Sequence, residues 1–434
     1  MIMARKKIIN IGLMGLGVIG GGMVKVLMDK PDTLAREAGS KLVLKKVLEK
    51  DRAKHGALGI DRSIFTTKFE ELVNDAEIDV VVELMGGEHP AFEYMMEALN
   101  HGKHVVTANK EVMSKHWAEL LTAAGDHQVV LRCEASVGGG IPLIAPFQED
   151  LVANDVSAIY AIVNGTTNYI LTRMAKEGID FAVALKNAQE LGYAEANPTN
   201  DIEGIDAAYK LAILTTIAFG TEVKPENIYH EGISRLQARD FRYARELGYA
   251  IKLLAIAKGD NDSVEARVHP VFIPEDSLLA KVDGVYNAIL VEGDLVGQVI
   301  FYGQGAGPRA TSSAVVSDII KIAQDINIGK SSAPRLPFAT GRKVMPMAKI
   351  KTRYYMRMSV ADRPGVLAQI SKILGDHAIS ISSVIQKETD ASTRIAEIVI
   401  MTHPAEEQSV QKALKETKQL GVVKEISNFV RVEA

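Results

Sequence analysis

Near the amino end, Gly15-Leu16-Gly17-Val18-Ile19-Gly20 spells G-x-G-x-x-G between an apolar run and a helical pattern. In that setting each glycine has its own task. The first, Gly15, permits a tight turn; the second, Gly17, lets backbone approach a pyrophosphate; the third, Gly20, lets a helix pack closely on a strand. Val18 and Ile19 open that helix, whose free N–H groups and partial positive charge suit phosphates. The alternative is a tight glycine turn that binds nothing. Further on, Glu49-Lys50-Asp51-Arg52 closes the second apolar run. Lys50 or Arg52 could hold a ribose 2′-phosphate, Glu49 could accept a 2′-hydroxyl, and a solvated charge run would do neither. NADP is slightly favoured over NAD. Glu83-Leu84-Met85-Gly86-Gly87 and Thr107-Ala108-Asn109-Lys110 end two more strand-like runs. Ligands of such sheets bind beyond the carboxyl ends of strands. Small residues from Thr107 onward would admit a nicotinamide ring, with Lys110 beside it, although a lysine in that place is often merely solvated.

Elements must hold these groups. Up to residue 135, strand-like runs (Lys7–Ile11, Leu42–Leu44, Asp79–Leu84, His104–Thr107, Val129–Leu131) alternate with helical stretches such as Ala91–Asn100 and Glu111–Ala124. That alternation implies a parallel α/β sheet, a Rossmann domain over residues 1–135. Residues 136–330 mix long helical stretches with strand-like segments and read as an α+β domain. Pro334 and Pro337 disfavour helix and central strand, which places a linker at 331–352. From residue 353 to 434 the pattern runs strand, helix, strand, strand, helix, strand, the ferredoxin-like order. In that tail, the turn Asp362-Arg363-Pro364-Gly365 leads into the first helix.

Composition sets bounds. A net charge of −4 with 24% charged residues carries no nucleic-acid footprint. No apolar stretch approaches the ~20 residues that span a bilayer. Basic Met1–Lys7 precedes the glycine-studded run Ile8–Val18, which reads as a first strand and turn, not a leader. Cys133 is the only cysteine, so no internal disulfide can form and a reducing, cytoplasmic setting is expected.

Several segments beyond the glycine turn carry a family resemblance. Thr107-Ala108-Asn109-Lys110, Glu134-Ala135-Ser136-Val137-Gly138-Gly139-Gly140-Ile141-Pro142, Asn164-Gly165-Thr166-Thr167-Asn168-Tyr169-Ile170, Gly192-Tyr193-Ala194-Glu195-Ala196-Asn197-Pro198, the D-x-x-G-x-D-x-x-x-K run from Asp201 to Lys210, and Gly303-Gln304-Gly305-Ala306-Gly307 occur in order. Together they resemble the homoserine dehydrogenases. The tail, with Asp362-Arg363-Pro364-Gly365-Val366-Leu367-Ala368, resembles an ACT domain.

The resemblance implies interconversion of aspartate 4-semialdehyde and homoserine with NADP or NAD. It implies Lys210 as proton donor to the substrate oxygen, with Asp206 one helical turn earlier as its partner or a substrate contact. An exposed pair of that spacing is otherwise common and worth only ~0.3–0.5 kcal/mol. It implies Glu195 as the acid that meets the substrate ammonium. Lys110 is placed near cofactor and substrate, and Gly305 near the cofactor. A monovalent cation, sodium, is implied at Glu134, Val137, Gly139 and Ile141, held by backbone carbonyls and one carboxylate. A glycine-rich loop without an ion is the other reading. An amino-acid effector, most often threonine, is implied at the ACT domain, and a homodimer or homotetramer is expected. The competing reading is an NAD(P)- and amino-acid-sensing regulator, which would keep Gly15–Gly20 but would not need Lys210 or Glu195.

Overall fold

The apolar run Ile8–Met14 becomes the central strand, β1, of a six-stranded sheet. The computed structural model describes residues 6–260, 262–330, 342–390 and 394–433; the prolines expected in the linker lie outside them. Beside β1 stand β2 (Lys41–Leu48) and β3 (Phe65–Thr66) on one flank, and β4 (Val80–Glu83), β5 (His104–Thr107) and β6 (Leu131–Arg132) on the other, all parallel. The order 3-2-1-4-5-6 is that of dinucleotide-binding sheets. The central strands β1 and β4 are almost wholly apolar and buried, as the middle of a parallel sheet requires, while β2 toward the edge carries Lys41, Lys45 and Lys46. Ile9, Ile11, Leu13, Val80, Val82 and Val106 form the centre of this core.

The chain falls into two compact units that do not follow sequence order. The first gathers Met1–Val156, Tyr209–Glu226 and Glu292–Gly341. The second gathers Ser157–Ala208, Asn227–Val291 and Arg342–Ala434. In the first unit, the helix Pro308–Asn327 returns to the nucleotide sheet and adds Val315, Ile319 and Ile322 to its core. Gly22 makes room for it, because a Cβ there would stand 2.5 Å from Ser312 Oγ.

The second unit is built on one extended sheet. Its strands lie in the order Tyr286–Gly293, Val156–Ile162, Tyr249–Gly259, Ser263–Pro274, Val423–Val432, Lys351–Ala361, Ile395–Thr402, Ile381–Asp390. The last four, with helices Val366–Asp376 and Glu407–Thr417, form the expected ferredoxin-like fold. Its edge strand joins the middle sheet by parallel pairing of Val271 with Arg431 and Phe272 with Val432.

Buried charges line this join. Arg357 bonds Asp240 at 2.8 Å and Glu397 at 2.9 Å, all three nearly inaccessible to solvent. Tyr355 and Asn428 also donate to Asp240, and Tyr243 donates to Glu397. Arg431 pairs with Glu407 and Glu231. Arg267 pairs with Glu433 and Glu265. These pairs lash the helix Ala238–Glu246 and the strand Ser263–Pro274 to the tail.

Candidate active site

The phosphate turn fits its expected task. Gly15 adopts φ +94°, and a Cβ on it would lie 2.8 Å from the Leu84 carbonyl oxygen. A Cβ on Gly20 would lie 2.1 Å from the Gly15 carbonyl oxygen, so the helix Val18–Asp29 can start this close only on glycine. Gly17 faces open space, as the approach of a pyrophosphate requires. Val18 is 71% exposed, an apolar side chain left bare at the helix start. Gly86 and Gly87 also face open space with positive φ. The residues present therefore fit a dinucleotide.

Glu49 proves to be a brace for this turn. Its carboxylate accepts the Leu16 N–H and the Asp51 N–H, and Lys54 stands 3.5 Å away. Although burial opposes charge, these hydrogen bonds and Lys54 hold its pKa below the usual carboxylate value. Lys50 and Arg52 remain exposed just beyond β2.

At the ends of β4 and β5, Glu83 is fully buried. It accepts hydrogen bonds from Thr107 Oγ1 at 2.6 Å and from the Met85 and Gly86 N–H groups. Burial raises its pKa against the pull of those bonds. Thr107 thus spends its hydroxyl on Glu83. Its Oγ1 also accepts from the Asn109 N–H. Asn109 caps the helix Lys110–Asp126 by accepting from Val112 N–H, and its amide donates to the Gly87 carbonyl at 2.7 Å. Lys110 therefore starts a helix, where a cation opposes the macrodipole. Lys115, farther along that helix, lies 5.7 Å from the ring centre of Tyr209, the neighbour of Lys210. The two lysine-bearing helices thus meet within the first unit.

The loop after β6 differs from expectation in one detail. The Glu134 carboxylate accepts the N–H groups of Leu143, Ile144 and Ala145 at 2.6, 2.8 and 2.8 Å, where it caps a short helix. It is committed to backbone donors, which leaves carbonyl groups as the ion ligands available at Glu134, Val137, Gly139 and Ile141. All four residues are buried. A Cβ on Gly139 would lie 2.5 Å from the Gly305 carbonyl oxygen, so Gly305 packs on this loop. Burial, joined by Asp318 and Glu134, raises the Cys133 thiol well above its usual pKa.

In the second unit, Asn164 and Thr166 draw three motifs together. The Asn164 amide donates to Asp201 Oδ1 at 2.7 Å and to Asp206 Oδ2 at 2.9 Å. Thr166 Oγ1 donates to the Tyr193 carbonyl at 2.6 Å, which ties down the turn that carries exposed Glu195. Asp206 is buried at the start of the helix Ile205–Phe219, one turn before Lys210. Sequence spacing alone does not single out the bond between the Asn164 amide and the Asp201 carboxylate, which joins residues 37 apart.

In the ferredoxin-like tail, Val360, Asp362, Gly365, Val366, Gln386 and Ile398 help line a cleft of ≈ 410 Å³ at the start of the helix Val366–Asp376.

A parallel sheet whose glycine turn stays open, and whose edge carries a lysine at a helix start, belongs to the nicotinamide-dependent oxidoreductases. Comparison with known proteins narrows the class. Residues 15–134 match the family model described as homoserine dehydrogenase, NAD binding domain; residues 142–320 match homoserine dehydrogenase; residues 354–422 match the ACT domain. The chain is 43% identical to homoserine dehydrogenase of Synechocystis, with 98% of this chain and 99% of that protein covered. It is 44% identical to the enzyme of Helicobacter pylori, with 99% and 100% covered. A homoserine dehydrogenase structure from Thiobacillus denitrificans superposes with TM-score 0.92 at 42% identity, covering 99% of both chains. A hyperthermophilic archaeal homoserine dehydrogenase in complex with NADPH superposes with TM-score 0.63 at 28% identity, over 73% of this chain and 97% of that one. The chain belongs to the homoserine dehydrogenase family, and it carries an ACT domain. It is an NAD(P)-dependent oxidoreductase, which sets aside the reading as a sensor without turnover. Among the described residues no helix is long and apolar enough to cross a membrane.

Proposed function

We propose that Lys210 handles the proton in the interconversion of L-aspartate 4-semialdehyde and L-homoserine. The nicotinamide, when bound, supplies the hydride donor or acceptor. In reduction, the Lys210 ammonium gives a proton to the substrate oxygen as that oxygen gains negative charge; in oxidation the amine takes it back. Asp206, one helical turn before Lys210, orients it. Lys110 adds positive charge near the same oxygen, and Glu195 receives the substrate ammonium. The observation that carries this reading is the meeting of the Lys110 helix with the Lys210 helix, where Lys115 lies 5.7 Å from the Tyr209 ring centre.

NADP is the preferred cofactor in this reading. Glu49 is already engaged by Leu16 and Asp51, so Lys50 and Arg52 are left to meet a 2′-phosphate. The NADPH complex of the archaeal relative supports the same preference. Sodium is held by carbonyls of Glu134, Val137, Gly139 and Ile141. An amino-acid effector, threonine, occupies the ACT cleft, with its carboxylate at the helix start. The enzyme works in the cytoplasm as a homodimer or homotetramer.

The test is homoserine-dependent reduction of NAD and NADP at alkaline pH, with and without threonine. Turnover that prefers NADP and falls with threonine is expected. No turnover with either cofactor, in folded protein, defeats the assignment of roles. Turnover that prefers NAD defeats the role given to Lys50 and Arg52 alone.

A further inference from the structure

Asn164 stands just past the strand Val156–Ile162 and caps the helix Gly165–Glu177. Its amide oxygen accepts from Thr167 N–H at 2.9 Å and from Thr167 Oγ1 at 3.1 Å. Its amide nitrogen donates to Asp201 and Asp206 at 2.7 and 2.9 Å. These partners fix which end of the amide is which, since ionised carboxylates only accept and a backbone N–H only donates. Asn164 and Asp206 are both nearly inaccessible to solvent.

Capping alone does not explain the residue. Serine and aspartate cap helices about as well as asparagine does. Only asparagine joins a capping oxygen to two N–H donors on one short side chain. Those donors lie where two carboxylates converge, one of them a helical turn before Lys210. Without donors between them, two like charges at this distance would repel and turn apart.

We propose that Asn164 is a positioning residue of the reaction. Its amide clamps Asp201 and Asp206 in one arrangement and thereby sets how Asp206 presents Lys210 to the substrate. The proposal rests on the roles given above to Asp206 and Lys210, and it adds a residue that touches neither substrate nor cofactor.

The test compares Asn164→Asp and Asn164→Ser with the wild-type full chain. Both keep a capping oxygen. Aspartate removes both donors, and serine keeps one. Steady-state turnover of homoserine is measured with melting temperature, NADPH affinity by fluorescence, and homoserine affinity by calorimetry in the presence of NADPH, where no turnover occurs. For Asn164→Asp, kcat/KM is expected to fall about 100-fold. For Asn164→Ser a smaller loss of about tenfold is expected, with homoserine affinity weakened, NADPH affinity unchanged and melting near wild type. If the aspartate variant does not fold, the serine variant decides. A residue that only caps would leave serine at wild-type kcat/KM and wild-type homoserine affinity, and that result overturns the proposal. Wild-type protein that never turns over homoserine overturns the proposed roles as well.

Discussion

At the scale of single residues, the proposed chemistry depends on two lysines at defined places on their helices. Lys110 starts a helix against its dipole. Lys210 follows buried Asp206 by one turn on an otherwise uncharged helix. Lys210→Ala is expected to lower kcat by roughly 10²–10⁴-fold, with NADPH affinity held, as measured by steady-state rates and cofactor fluorescence. A variant with more than half the wild-type kcat would remove Lys210 from the proton path. Arg52→Ala is expected to raise KM for NADP by about 10–100-fold, the worth of one charge-assisted hydrogen bond, and to leave KM for NAD within twofold. Equal loss with both cofactors would mean that Arg52 supports the fold instead. Much of this was legible, because G-x-G-x-x-G after a strand and the run from Asp201 to Lys210 are local patterns. What stayed hidden were long-range hydrogen bonds. Glu49 looked like a reader of ribose, yet it spends its carboxylate on Leu16 N–H, 33 residues away in sequence. Nothing in the spacing reports such a bond. The strand–Asn–Gly–Thr–helix junction did offer a signal for Asn164, since a polar residue there is a cap.

At the scale of elements, the buried ion pairs between helix, middle sheet and tail dominate. Arg357→Met takes its cation from buried Asp240 and leaves Glu397 to Arg239, 3.5 Å away, and breaking such a buried pair costs about 3–5 kcal/mol. The urea midpoint should fall accordingly, and adding Asp240→Asn should recover part of it. A single variant with an unchanged midpoint would show these charges to be well solvated. His269 gives the same region a pH dependence. It is fully buried, and Arg267 Nε–H donates to its Nε2 at 3.2 Å, so the ring is the neutral Nδ1–H form. Burial, with Arg431 and Arg267 close by, pushes its pKa well below the ordinary value. The unfolded chain takes up a proton near pH ~6.5 and the folded chain does not, so stability is full above that pH and falls as pH drops below it. His269→Gln keeps an acceptor for Arg267 and should flatten the fall in melting temperature between about pH 7.5 and pH 5. A fall as steep as wild type would place the acid sensitivity elsewhere. The tail's elements were legible in type and order, because alternation and helical spacing were clean there. The strand Tyr249–Gly259 was not, since an unbroken apolar run with Lys252 inside it suits helix or strand equally. The docking of Pro308–Asn327 on the nucleotide sheet was invisible too, although Pro308 at its first turn marked the start.

At the scale of the whole molecule, the expected division into consecutive domains meets a chain that weaves between two compact units. The class of each part was legible, but the pairing of Val271 with Arg431 joins strands whose sequences give no hint of partnership. For the effector, Asp362→Ala is expected to raise the threonine concentration for half-inhibition at least about tenfold, in line with the loss of one charged hydrogen bond in the cleft. Inhibition unchanged by the substitution would place the effector outside that cleft.

The parallel pairing and its buried charges also decide what kind of exchange the tail can survive. A regulatory segment tethered only by a linker could be swapped between enzymes like a cassette. Here a crossover anywhere in residues 331–352 would part Arg357 from Asp240, Arg431 from Glu231, and Arg267 from Glu433. A viable chimera would therefore have to carry the donor's segments 229–246 and 263–274 along with its tail. The unit of inheritance is the tail together with the helix and strand that answer its charges.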